Sequence, residues 1–200
     1  MHKNPSLVRL RLGALFIMLA TLAFGSSGCA ARHPRVFVPN QPTAKLQYAY
    51  ANGYRTNKNI VLRDRTDSGR WRQTRNALEM AYAKVIELFP EDLEYTPLAK
   101  LEIAEIRGGL DFSAAPQTRK KELREAIGLL QALQREYPQI SYIHAKSMLD
   151  EALVWKKLRE FGKVQEILID LMDQYGASTE PEIQPILQTA QANYQQVYVE

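Results

Sequence analysis

Few residues in this chain are of the types that do covalent or metal chemistry: a single cysteine, Cys29, and three histidines, His2, His33 and His144. A protein metal site takes three or four side-chain ligands, chiefly Cys, His and carboxylates. His144 has no second Cys or His in the body of the chain to join it, so no metal site is expected. Closely spaced acids occur at Glu102/Glu105 and Asp150/Glu151. Paired carboxylates serve general acid–base catalysis when their surroundings drive their pKa values apart. Here both pairs have Lys or Arg neighbours and read as solvated helix faces. No Gly-rich phosphate loop, no G-x-S-x-G and no H-E-x-x-H is present, so the motifs of nucleotide binding, serine hydrolysis and zinc proteolysis are missing. The expectation is no enzyme, no catalytic residue, no cofactor and no small-molecule substrate. What remains for Cys29 is a role set by its position.

Upstream of Cys29, Lys3, Arg9 and Arg11 make a positive start without an acid, and thirteen uncharged residues follow from Leu12 to Phe24 (LGALFIMLATLAF). About 20 apolar residues are needed to span a bilayer, so this run is short for a membrane helix and has the length of a signal-peptide core. Gly25, Ser26, Ser27 and Gly28 supply the small residues that a peptidase requires. The order of charge, apolar run, small residues and cysteine resembles the leader of bacterial lipoproteins, with Ser26-Ser27-Gly28-Cys29 as the lipobox. That resemblance implies a signal peptide over 1–28 and acyl chains, palmitate among them, on Cys29. It also implies, through Ala30, export to the periplasmic face of the outer membrane. Ordinary secretory cleavage near Ser27 fits the same leader and leaves an unmodified thiol. With no second cysteine, an exported domain has no internal disulfide and is held by its core alone.

The chain carries 26 Lys+Arg against 22 Asp+Glu, a net charge of +4 and a pI near 9.1. Three of those basic residues lie in the leader, so the remaining chain is close to neutral and a nucleic-acid reading fails. The distribution is lopsided: residues 32–75 hold ten basic residues and two acids, Asp64 and Asp67, while the rest of the body is acidic. A basic segment near a lipid anchor favours an anionic membrane surface by about 1 kcal/mol per Lys or Arg close to it; a solvated, flexible start to a domain is the alternative. Residues 29–43, with Pro34, Pro39 and Pro42, read as the anchor and an extended tether, and 44–200 as one helical domain.

In that body, apolar residues recur at helical spacing and no alternating strand pattern stands out. Leu78, Ala81, Tyr82, Val85 and Phe89 line one face of 71–89. Leu123, Ala126, Ile127, Leu130, Leu133 and Tyr137 do so in 119–137, and Val164, Ile167, Leu168, Leu171 and Tyr175 in 163–175. Shorter helices are expected from Thr43 to about Arg55, from a Thr96-Pro97 start to a Gly108-Gly109 stop, from Ser141 to Phe161 before Gly162, and over 182–198. Polar loops are expected at 56–70 and 108–118. The three long segments end alike, in Leu88-Phe89-Pro90, Glu136-Tyr137-Pro138 and Gln174-Tyr175-Gly176.

Seven antiparallel helices with recurring ends resemble tetratricopeptide (TPR) repeats, whose period is 34 residues. Ala152 matches the small position of the family's first helix, Trp155 an aromatic one, and Phe161-Gly162 the turn; Ala126, Leu130 and Pro138 fall on second-helix positions, as do Tyr82 and Pro90. The resemblance implies an all-α solenoid of about three antiparallel helix pairs plus a C-terminal capping helix. A non-repetitive helical bundle is the alternative. It also implies a partner groove lined by first helices, with Leu101, Glu105, Leu149, Leu153 and Lys156 as candidates. FPEDLEYTPLAKLEIAEI and YPQISYIHAKSMLDEAL are similar to the helix joints of BamD-like lipoproteins that assemble outer-membrane proteins. The implied function is a lipid-anchored envelope scaffold that binds protein partners. A pilotin-like role in building a pilus or secretion pore, or a cell-wall enzyme or its regulator, would fit the same leader.

Overall fold

Helix periodicity in the sequence becomes helix throughout the structure, a computed structural model that describes residues 37–63, 68–110 and 120–197. Among the described residues there are seven helices: α1 (Ala44–Arg63), α2 (Ser68–Leu88), α3 (Tyr95–Gly108), α4 (Lys120–Glu136), α5 (Ser141–Leu158), α6 (Phe161–Tyr175) and α7 (Gln184–Val197). Each packs on its successor. Beyond that neighbour the contacts are selective: α1 meets α3, α3 meets α5 and α5 meets α7, while no Cα atoms of α2 and α4, or of α4 and α6, come within 8 Å of one another. The odd-numbered helices therefore form one continuous inner layer and the even-numbered ones splay apart outside it. This is an all-α, helix-pair solenoid fold, with α1/α2, α3/α4 and α5/α6 as the pairs and α7 covering the last. A single pair cannot bury its own apolar stripe, and stacking turns three stripes into one core.

The expected apolar faces are the ones buried, apart from Phe89 and Ile167, which are half-buried. Leu78, Ala81, Tyr82 and Val85 fill the first core segment with Ala99 and Ile106. Leu123, Ala126, Ile127, Leu130 and Leu133 meet Leu101, Ala104 and Val154 in the second. Val164, Leu168, Leu171 and Tyr175 meet Leu149, Ala152, Ile183 and Ile186 in the third. Tyr142 and Trp155 of α5 pack against both the second and third segments, so α5 joins them. Val38 packs against the first segment, and the Gln41 N–H donates to Gln47 Oε1 at 2.8 Å. The end of the expected tether is thus fastened to the domain.

Three helix ends differ from their expected form. The polar stretch after Arg55 is not a loop: α1 runs to Arg63 and α2 starts at Ser68, leaving 64–67 outside the described residues. Nothing from Thr56 to Arg63 breaks a helix, and polarity alone does not unwind one. At the start of α3, Thr96 is buried and its hydroxyl donates to the Phe89 carbonyl at 2.6 Å; the cap is Asp92, whose Oδ1 accepts the Glu94 and Tyr95 N–H groups at 3.0 and 2.6 Å. α5 stops at Leu158 rather than before Gly162, which lies in the first turn of α6. The stop is Arg159, left-handed at φ 64°, with its N–H bonded to Lys156 O and the Glu160 N–H to Trp155 O. A side chain in that conformation costs about 1–2 kcal/mol, and glycine is its usual occupant. Arg159→Gly is therefore expected to raise stability by about 0.5–1 kcal/mol in a urea melt.

The Gly108-Gly109 stop forms as expected, and each glycine has its own reason. Gly109 is left-handed (φ 63°), and the Leu110 N–H closes the end on Glu105 O at 3.0 Å. Gly108 lies where α3 crosses α5: a Cβ there would stand 2.9 Å from Val154 Cγ2. Lys157 of α5 donates to the carbonyls of both glycines, at 3.1 and 2.6 Å, placing a cation at the negative end of α3. Gly108→Ala is expected to cost about 1–3 kcal/mol by forcing the two helices apart. The 108–118 loop lies outside the described residues beyond Leu110.

Candidate partner-binding site

Where the inner helices touch, charged groups lie beside apolar contacts such as Gly108 on Val154 and Tyr48 on Tyr95. Arg55 of α1 pairs with Glu102 of α3 and lies 4.0 Å from Glu105. Lys146 of α5 donates to Glu105 Oε1 at 2.5 Å and to both oxygens of Asp150, one turn along its own helix, at 2.6 Å. The Tyr48 hydroxyl donates to Glu102 Oε1 at 3.1 Å. A continuous chain of polar groups thus crosses three helices of the inner layer. Further along it, Lys156 donates to Asn193 Oδ1 and Gln196 Oε1 of α7 at 3.0 and 2.9 Å.

This corrects the reading of both acidic pairs as solvated faces. Glu105, Asp150 and Glu151 are 8, 1 and 5% exposed. Helical geometry explains the outcome: Lys146 and Asp150 are four apart and share a face, and that face meets α3. The signal was present as a Lys-x-x-x-Asp spacing. Its burial was not, because nothing local says that an inner helix will lie against a charged face.

Three carboxylates face two cations in the Arg55–Glu102–Glu105–Lys146–Asp150 cluster. Burial, with Glu105 close by, pushes the Asp150 carboxyl up to about 8 despite Lys146. Burial opposes the Lys146 charge, but Asp150 and Glu105 more than offset it and hold the ammonium above its ordinary value. Burial also raises Glu102 against the pull of Arg55, and burial raises Tyr48 and Tyr142.

The five expected groove residues divide. Leu101 and Leu149, 3 and 4% exposed, are core residues packed towards α4 and α6, which corrects their placement in a groove. A first-helix position matched from a repeat pattern does not tell the inner face from the face turned to the partner helix. Glu105 belongs to the inner charge chain, and Leu153 and Lys156 are half-buried. His144 is half-buried, with Nδ1 3.0 Å from the Tyr175 hydroxyl, and burial lowers its pKa. Cys29 lies outside the described residues. Among the described residues no group of three or more His, Cys, Asp and Glu could hold a metal ion, and no helix is long and apolar enough to cross a membrane. No protein-family model, curated protein or solved structure matches the chain.

Proposed function

We propose that this chain is a lipid-anchored scaffold of the bacterial cell envelope, TPR-like in its stacking, which holds a protein partner against its inner helices. The observation that carries the reading is the continuous layer formed by α1, α3, α5 and α7. Solenoids of helix pairs bind along such layers because each repeat adds surface without adding a new core. Tyr48, Glu102, Tyr142, Leu153 and Lys156, all half-buried, are the side chains it offers. The leader and Cys29 supply the reason to place the scaffold at a membrane, and the basic 32–75 segment suits an anionic surface close to the anchor. BamD-like assembly of outer-membrane proteins is the role that fits these features best.

The anchor is tested by growing cells with a labelled fatty acid. Label is expected on the wild-type chain and not on Cys29→Ala, which should also retain residues 1–28. An unlabelled wild-type chain, or label that persists in Cys29→Ala, contradicts the lipid anchor. On fractionation the labelled protein is expected with the outer membrane; recovery with the inner membrane contradicts the sorting read from Ala30.

A further inference from the structure

On the outer face, where α4 and α6 stand apart, a cleft of about 370 Å³ opens over α5, within the size range of small-ligand sites. Its floor is Glu151 and Trp155, one turn apart on α5. The Glu151 carboxylate accepts from Gln131 Nε2 at 2.8 Å and Trp155 Nε1 at 3.1 Å on Oε1, and from Gln134 Nε2 at 2.9 Å on Oε2. All three donors are neutral. A carboxylate offers about four acceptor sites, so one is left on Oε2, on a residue only 5% exposed. Buried charges are ordinarily paired with an opposite charge; among the described residues no cation comes within 4 Å of Glu151, and Lys163 acts on it only from beyond that distance. The nearest basic group on the α6 wall, Lys163, is tied to Glu166 at 2.8 Å. With Arg135 and Asp170 on the rim, the lining holds one more acid than base.

We propose that this cleft receives one guanidinium group, the side chain of an arginine on a partner protein. A guanidinium is planar, always charged and more weakly hydrated than an ammonium, so it gives up less on entering a site with one free acceptor. Trp155 and Ile167 supply the apolar surface that its methylene stem and flat face require. The cleft faces away from the inner layer, so its occupancy does not depend on what binds there.

The test uses the full chain in detergent with Trp71→Phe, which leaves Trp155 as the only tryptophan. Titration with acetyl-Gly-Arg-Gly-amide is expected to change Trp155 fluorescence saturably, and the same peptide with citrulline in place of arginine to leave it unchanged. Glu151→Gln should weaken binding at least tenfold while circular dichroism stays that of a folded helical protein. If Glu151→Gln does not fold, Asp170→Lys, an exposed change that reverses the net charge of the cleft, should weaken binding several-fold. A linear, unsaturable response, equal binding of the citrulline peptide, or undiminished binding by a folded variant overturns the proposal. Ethylguanidinium binding as tightly as the peptide would show a site for a free cation and overturn the protein source.

Discussion

Lys146→Ala is expected to destabilise the chain by about 3–5 kcal/mol, because it takes the cation from Asp150, buried beside Glu105, and the closer of two cations from Glu105 itself. For a chain of this size that lowers the melting temperature by roughly 10 °C. The loss should depend on pH. Asp150 titrates near 8 in the fold and near 3.8 in a free chain, so between those values the folded state binds a proton that the unfolded state has released. A carboxyl raised in this way favours the fold most below about pH 4, and its contribution falls as pH rises through 8. Glu102 shifts in the same direction. His144, lowered by burial, works oppositely, removing stability as pH falls below its ordinary 6.5. Removing Lys146 drives the Asp150 carboxyl higher still, so the deficit of Lys146→Ala should be smaller at pH 5 than at pH 8. Asp150→Asn should flatten the wild-type decline across that window. A deficit in Lys146→Ala that is constant with pH would mean that the lysine contributes through packing alone.

Trp155→Ala is the second large effect, expected at about 3 kcal/mol. Tryptophan truncation in a core costs about 3–5 kcal/mol, and the lower end applies because Trp155 also borders the outer cleft. Its indole packs against two core segments, and its N–H holds one lone pair of Glu151. In a stacked array the damage passes between neighbouring pairs through their interfaces. Amide exchange should therefore quicken first in α4, α5 and α6, while α2 keeps its protection. Uniform loss of protection along the chain would contradict the division into helix pairs.

These two residues also show what the sequence makes legible. Trp155 was visible because an aromatic at that spacing beside Ala152 matches a repeat position, and period alone locates a core face. The stripe Leu123–Ala126–Ile127–Leu130–Leu133 was visible for the same reason and is buried throughout. Lys146 was not visible as a keystone. Charge on a helix surface is ordinarily solvated, and only the packing of α5 on α3 sets Lys146 between Glu105 and Asp150. The same limit placed Leu101 and Leu149 in a groove: helical period assigns a residue to a face but not that face to a neighbour. Arg159 escaped notice because left-handed stops announce themselves through glycine, and Gly162 lay three residues away.

The most direct test of the scaffold reading is site-specific photo-crosslinking in living cells. A photoreactive aromatic in place of Tyr142, half-buried on α5 beside the inner charge chain, is compared with one in place of Leu93, 66% exposed between α2 and α3. The expected result is a discrete adduct with one envelope protein from position 142, little from position 93, and loss of that adduct when Cys29→Ala removes the anchor. No adduct from a folded chain labelled at 142, or equal adducts from both positions, would contradict a partner held on the inner helices.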